Sequence, residues 1–287
     1  MFDVPFRVLP IQRALFLFND AIMRYGLLGL LSALIALHLS LVFSGDNTDL
    51  IGSSLLYWSA AILILRHKQS KLDFSSDFAS ISIGSLVLVS VLSKSASISG
   101  NDIFLRILPI LSIAALVLIA SGFRGLKQHW QELLILCVFA IPPGLILLFF
   151  DPSTMTAKVS GFILHALGFQ VSVQGVLVSL PRGSIEVYSA CAGVATMLQL
   201  FGVALMYLFL QPTKYYQKFL IPGFALLIAF LVNALRVALM AVFVALGDQT
   251  AFEYWHVGNG SLVFSTIAVL IFCLSSQVLL PHEERSL

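Results

Sequence analysis

Residues 219–246 read FLIPGFALLIAFLVNALRVALMAVFVAL, 28 positions carrying one charged side chain, Arg236. A helix crosses a bilayer core in about 20 apolar residues, so this run predicts a membrane span. It also sets a guanidinium at a depth where ionisable groups are unfavourable and characteristically functional. Counted from Phe219 at about 1.5 Å per residue, Arg236 lies roughly 26 Å across a core about 30 Å thick, close to the far edge. Asn233 precedes it by one turn on the same face and is placed to orient the arginine or a substrate through its amide. Pro222-Gly223 marks the start of the span and is given no chemistry.

Other apolar stretches repeat the pattern, at about 21–43, 50–65, 78–93, 103–122, 133–150, 191–210 and 259–280. The second and third in chain order are short and interrupted by serines. With 59% hydrophobic residues, 10% charged residues and a mean hydropathy of +0.99, the chain far exceeds the apolar content of a soluble domain. The predicted fold is an all-α polytopic membrane protein of about eight transmembrane helices. A formal charge of +2, with basic residues scattered through short loops, argues against a nucleic-acid partner. The three cysteines, Cys137, Cys191 and Cys273, show neither CxxC nor Cys/His spacing. No disulfide framework, metal site or cofactor is therefore expected.

Loop charges orient the chain. With the N-terminus inside, the cytoplasmic side collects Arg7, Arg13, Arg24, Arg66, Lys68, Lys71, Arg124, Lys127, Lys214, Lys218 and Arg285, and the outer side only Lys94, Lys158 and Arg182. That is 11 against 3, with Arg106 and Arg236 inside spans. The positive-inside rule then gives a multi-pass protein of the cell (inner) membrane with both termini cytoplasmic. Residues 1–20 lack the small-residue cleavage site of a signal peptide and are expected along the cytoplasmic surface. The remainder divides into a five-helix membrane region at 21–150, a second membrane region with an outer loop and three helices at 151–280, and a cytoplasmic tail at 281–287.

The outer segment 151–190 is more than a connection. Gly161–Gln170 is apolar enough to re-enter or lie in the interface, and 171–187 alternates in part, broken by Gly175 and by Pro181-Arg182-Gly183. A short β-hairpin is predicted there, delivering the chain to Cys191. Ser189 is the predicted N-cap of the sixth span, which would put Cys191 in its first turn, where free N–H groups and the helix dipole favour a thiolate. Gly193 leaves space for a close backbone or substrate approach.

Cys191, Arg236 and His256 thus gather at the outer ends of successive spans. A thiol, a cation and an imidazole are the parts of a cysteine acyl-transfer site. Each also has an ordinary reading. Cys137 and Cys273 are read as small packed hydrophobes, and Arg106 as an arginine that snorkels to the interface. His256, beside Tyr254 and Trp255, taken alone fits an interfacial aromatic belt. His38, His67, His129, His165 and His282 show no ligand spacing and are read as surface or packing residues.

Three short blocks combine into a family resemblance: Cys191-Ala192-Gly193, Asn233-Ala234-Leu235-Arg236, and His256-Val257-Gly258-Asn259-Gly260 with Phe264 in the apolar run that follows. In order and spacing the chain resembles the exosortase/archaeosortase family of integral membrane cysteine transpeptidase-like enzymes, with the motifs covering about residues 170–265. Ala192 stands where the family usually has serine, and Ser189-Ala190 where many members have an acidic residue and alanine. The last span is followed by only seven residues, so the C-terminal periplasmic domain fused to some exosortases is expected to be absent.

The resemblance implies a membrane cysteine peptidase or transpeptidase acting on exported proteins with a C-terminal sorting signal of the PEP-CTERM type. Cys191 would be the nucleophile, Arg236 the oxyanion stabiliser, His256 the proton shuttle, and Asn233 a supporting or substrate-binding residue. A thioacyl intermediate would pass to water, an amine or a polysaccharide acceptor. His-Glu-x-x-His, Gly-x-Ser-x-Gly and a mid-span aspartate are all missing from the sequence. The competing reading is a transporter, or a non-catalytic component of polysaccharide export, with Arg236 and Asn233 binding an anion. The sequence shows no internal repeat of the sort many transporters carry.

Overall fold

A computed structural model describes residues 10–45, 47–68, 74–98, 102–256 and 260–279. The helices are α1 Pro10–Ser44, α2 Thr48–Lys68, α3 Phe78–Ser95, α4 Phe104–Gln128, α5 Trp130–Ala140, α6 Pro143–Leu147, α7 Ser153–Ala166, α8 Val194–Leu210, α9 Gln217–Leu246, α10 Gln249–His256 and α11 Gly260–Leu279. Between α7 and α8 lie strands β1 Ser172–Gln174, β2 Leu177–Leu180 and β3 Gly183–Glu186.

Among the described residues, seven helices are long and apolar enough to cross a membrane: Tyr25–Ser44, Asp49–Lys68, Phe78–Ser95, Phe104–Gln128, Ser189–Leu210, Gln217–Leu246 and Gly260–Gln277. This is the all-α polytopic fold expected from composition. The predicted fifth span differs in being divided into α5 and α6. Pro142 and Pro143 lack N–H groups, and each pushes the preceding residue toward extended backbone, so Ile141 and Pro142 take ψ of 115° and 137°. The two pieces still run the length of α8. The Trp130 ring meets that of Phe209 near one end of α8 at 5.2 Å, while Ile146 and Phe150 share a cavity wall with Val194 near the other.

The expected hairpin is a three-stranded antiparallel sheet ordered β1-β2-β3. The extra strand follows from Gly175, whose φ of 61° turns the chain between β1 and β2. Segment 161–170 continues helix α7 up to Ala166, and α7 packs along α9. Its inward face is built of small residues, Ser153, Thr156, Ala157, Ser160 and Gly161, which bring the two helices close.

Packing in the N-terminal half is fixed by a buried polar chain. Trp58 Nε1 donates to His38 Nδ1 at 2.9 Å, which leaves His38 Nε2 as the protonated nitrogen, 2.8 Å from the Leu105 carbonyl. Of the two readings left open for His38, surface or packing, the structure shows packing. At the end of the bundle remote from Cys191, Lys68 Nζ lies 2.6 Å from Glu132 Oε2 and donates to the Gln128 carbonyl at 2.7 Å. Of the predicted terminal segments, residues 1–9 and 280–287 lie outside the described residues, and α1 begins at Pro10 within the predicted surface segment.

Candidate active site

Tyr188, Ser189, Ala190 and Cys191 form a tight turn in which the Cys191 N–H donates to the Tyr188 carbonyl at 2.8 Å and the Ala192 N–H to that of Ser189 at 3.2 Å. The turn is a 3-10 helix over Ser189–Cys191, and α8 starts only at Val194. Ser189 is therefore not the cap of α8, and Cys191 precedes that helix instead of lying in its first turn. The break has a steric cause. Gly193 takes φ of 91°, and a Cβ there would meet Asn233 Nδ2 at 2.6 Å. The space expected at Gly193 for a close backbone or substrate approach is occupied by the Asn233 side chain, which donates from Nδ2 to the Cys191 carbonyl at 2.9 Å. Asn233 is 2% exposed.

His256 ends α10, and its Nε2 lies 3.1 Å from Cys191 Sγ and 2.9 Å from the Tyr188 hydroxyl. Phe252, one turn earlier, stacks on the imidazole at 5.0 Å between centroids and 28° between planes. Arg236 closes the end of the same helix, donating from Nε to the Trp255 carbonyl at 3.2 Å and from Nη2 to the His256 carbonyl at 2.5 Å. A cation on the last carbonyls of a helix satisfies groups that lack helical partners and suits the dipole. All four predicted residues come together, with Arg236 bonded to backbone carbonyls and Asn233 to the backbone of Cys191. Val257–Asn259 of the third block lie outside the described residues.

Burial first, and the Arg236 charge second, hold His256 below the ordinary imidazole value. Burial, followed by the neighbouring Cys191, pushes the Tyr188 hydroxyl up to about 12, so it keeps its proton at physiological pH. A cavity of about 220 Å³ opens beside these groups, with Tyr188, Cys191 and His256 in its wall and Val237, Met240 and Val244 of α9 contributing apolar surface. Among the described residues no group of three or more His, Cys, Asp or Glu side chains is placed to hold a metal ion.

A family model described as transmembrane exosortase matches residues 46–273. The chain belongs to the transmembrane exosortase family. The match runs from the α1–α2 connection into α11 and so contains Cys191, Asn233, Arg236 and His256. Neither the curated proteins nor the solved structures compared with it give a match. Membership makes this exosortase a multi-pass membrane protein of a protein-sorting class whose substrates are exported proteins. The Ala192 departure falls outside the cavity wall, since its side chain is fully buried and its carbonyl accepts from Thr156 Oγ1 at 3.2 Å.

Sequence reasoning missed two side chains here, Tyr188 and Phe252. Tyr188 belongs to no block of the resemblance, and its meeting with His256 joins positions 68 residues apart. Phe252 had a signal that went unused, because it lies four residues before His256 on one helix face.

Proposed function

We propose that this exosortase is a cysteine peptidase or transpeptidase that cuts C-terminal sorting signals of the PEP-CTERM type from exported proteins at the outer membrane surface. The observation that carries the reading is the 3.1 Å approach of Cys191 Sγ to His256 Nε2 in the wall of a cavity. A neutral imidazole at that distance accepts the thiol proton as Sγ attacks the scissile carbonyl. The C–N bond then breaks, His256 returns the proton to the leaving amine, and a thioester remains on Cys191. Water or an amine or glycan acceptor opens the thioester and restores the thiol.

In this reading Arg236 serves twice. Its two bonds to the end of α10 hold His256 in line, and its charge, which already acts on Tyr188 and His256, favours the oxyanion as it develops. Asn233 positions Cys191 from behind. The Tyr188 hydroxyl is a second donor at the reacting atoms. The cationic side chains of Arg66, Lys68, Arg124 and Lys127 lie toward the remote end of the bundle, and under the positive-inside rule this supports a reading with that end in the cytoplasm and the cavity outside.

The test is co-expression with a reporter domain carrying a PEP-CTERM tail, followed by its size and its release from the membrane. Wild type should shorten the tailed reporter, and Cys191→Ser should leave it intact while accumulating in the membrane to the same level. Equal processing by both would refute the cysteine chemistry.

A further inference from the structure

Strand β3 leads into the turn that carries Cys191, and one of its two edges is unpaired. Val187 N–H donates to the Val176 carbonyl at 2.9 Å, and the register pairs Val178 with Ile185 and Leu180 with Gly183. Hydrogen-bonded pairs recur at every second residue of an antiparallel ladder. Ile185 and Gly183 therefore turn their N–H and C=O groups toward β2, and Ser184 and Glu186 turn theirs away. Because β3 is last in the order β1-β2-β3, no strand lies on that side among the described residues.

The free edge forms a wall of the Cys191 cavity. Ser184 and Glu186 line it together with Phe252 and His256 of α10 and Val244 of α9. Gly183 makes this arrangement possible, since a Cβ there would lie 2.9 Å from Val244 Cγ1 and 3.0 Å from the Val244 backbone. The sheet rests directly on the end of α9 as a result.

We infer that the edge of β3 binds the substrate as an added strand, so that the chain to be cut lies extended between β3 and α10 with its scissile carbonyl at Cys191. This rests on the cleavage chemistry proposed above and specifies how the substrate is held. Unpaired peptide groups beside apolar side chains are unfavourable, more so near lipid. Donors and acceptors repeating at two-residue intervals, about 6.8 Å, are complemented by another extended polypeptide and not by a helix, whose own groups are already bonded. Continuity with Cys191 identifies that polypeptide as the segment being cut. Ser184 and Glu186 precede Cys191 by seven and five residues, so recognition reaches several residues away from the cut.

The probe is a synthetic PEP-CTERM tail peptide without its membrane helix, tested on purified protein in detergent. Single N-methylation along the peptide should lower kcat/KM about tenfold or more at alternate positions and far less between them, since each modification removes one pairing donor. In the Cys191→Ala protein the peptide should slow amide hydrogen exchange at Ser184 and Glu186. Ser184→Pro, which removes an outward N–H and leaves the β2 ladder intact, should lose about tenfold more kcat/KM than Ser184→Ala. A peptide cut in a Cys191-dependent way but indifferent to N-methyl position overturns the added strand and leaves the protease reading standing. A peptide neither bound nor cut overturns both. The N-methyl series stands even if Ser184→Pro does not fold.

Discussion

Asn233 Nδ2 donates to the carbonyl oxygen of Cys191 at 2.9 Å, joining positions 42 residues apart, and the missing side chain of Gly193 makes room for it. One turn further along α9, Arg236 holds the carbonyls of Trp255 and His256. The same helix therefore fixes both sides of the Cys191–His256 contact, the thiol through Asn233 and the imidazole through Arg236. A rigid span with two polar clamps sets the 3.1 Å separation.

Gly193→Ala tests the first clamp. The left-handed backbone alone costs a non-glycine residue roughly 1–2 kcal/mol, and the new Cβ would also collide with the Asn233 amide. The variant should melt at lower temperature in detergent and process the tailed reporter poorly. A wild-type melting temperature together with wild-type processing would show that the amide contact does not position Cys191.

Tyr188→Phe removes a hydroxyl that keeps its proton and lies 2.9 Å from His256 Nε2, while the ring packed against the imidazole remains. Once Nε2 carries the thiol proton the Tyr188 oxygen accepts from it, and loss of that charge-assisted hydrogen bond should lower turnover about tenfold. Stability should change little, because Tyr188 is half exposed. Turnover within twofold of wild type would return Tyr188 to a packing role.

The membrane fold was legible because apolar length is a property of contiguous residues, as in 219–246. The break at Pro142-Pro143 was equally local, yet it was overlooked because hydropathy averages across it. Cys191, Asn233, Arg236 and His256 were legible through short blocks lying at the same ends of neighbouring spans. The contacts of those residues were not. That Asn233 would bond the Cys191 backbone, and Arg236 the end of α10, depends on how α8, α9 and α10 meet, and no spacing within one helix encodes it. Tyr188 stayed hidden for the same reason.

The shift at His256 has a definite sign. Its imidazole is held below the ordinary value of about 6.5, so the neutral, proton-accepting form persists as pH falls past that value and is lost at the lower native one. The stability linked to this shift is likewise present above the unfolded value and lost as pH falls through the native one. Phe252→Ala uncovers the stacked face and relieves burial, the larger cause, so the acid limb of Cys191 alkylation should move to higher pH. A limb that stays in place would separate His256 from the thiol's proton transfer.

Orientation is open to direct labelling. Cys137 and Cys273, read from the sequence as packed hydrophobes, instead lie on exposed faces of α5 and α11, which meet lipid in a bilayer, whereas Cys191 borders the cavity. A charged, membrane-impermeant thiol reagent applied to right-side-out vesicles should modify Cys191 alone. Modification only from inverted vesicles would reverse the proposed topology.

Arg236→Lys separates geometry from charge. A guanidinium offers Nε and Nη2 as two directed donors, and here they reach the carbonyls of Trp255 and His256 together. An ammonium on a shorter, flexible stem is a point charge that cannot reproduce that fork. The lysine variant should retain a cation near the oxyanion yet let the end of α10 drift, taking His256 out of line with Cys191. Misplacing a reacting group by about 1 Å can cost about 10²-fold in rate, and Arg236→Lys should approach the loss seen in Arg236→Ala. The check is turnover of the tailed reporter at matched membrane expression. The rate of Cys191 alkylation, read alongside, reports whether the thiol still meets its base. A lysine variant within a few-fold of wild type in both would reduce Arg236 to a structural cation and leave the chemistry to Cys191 and His256.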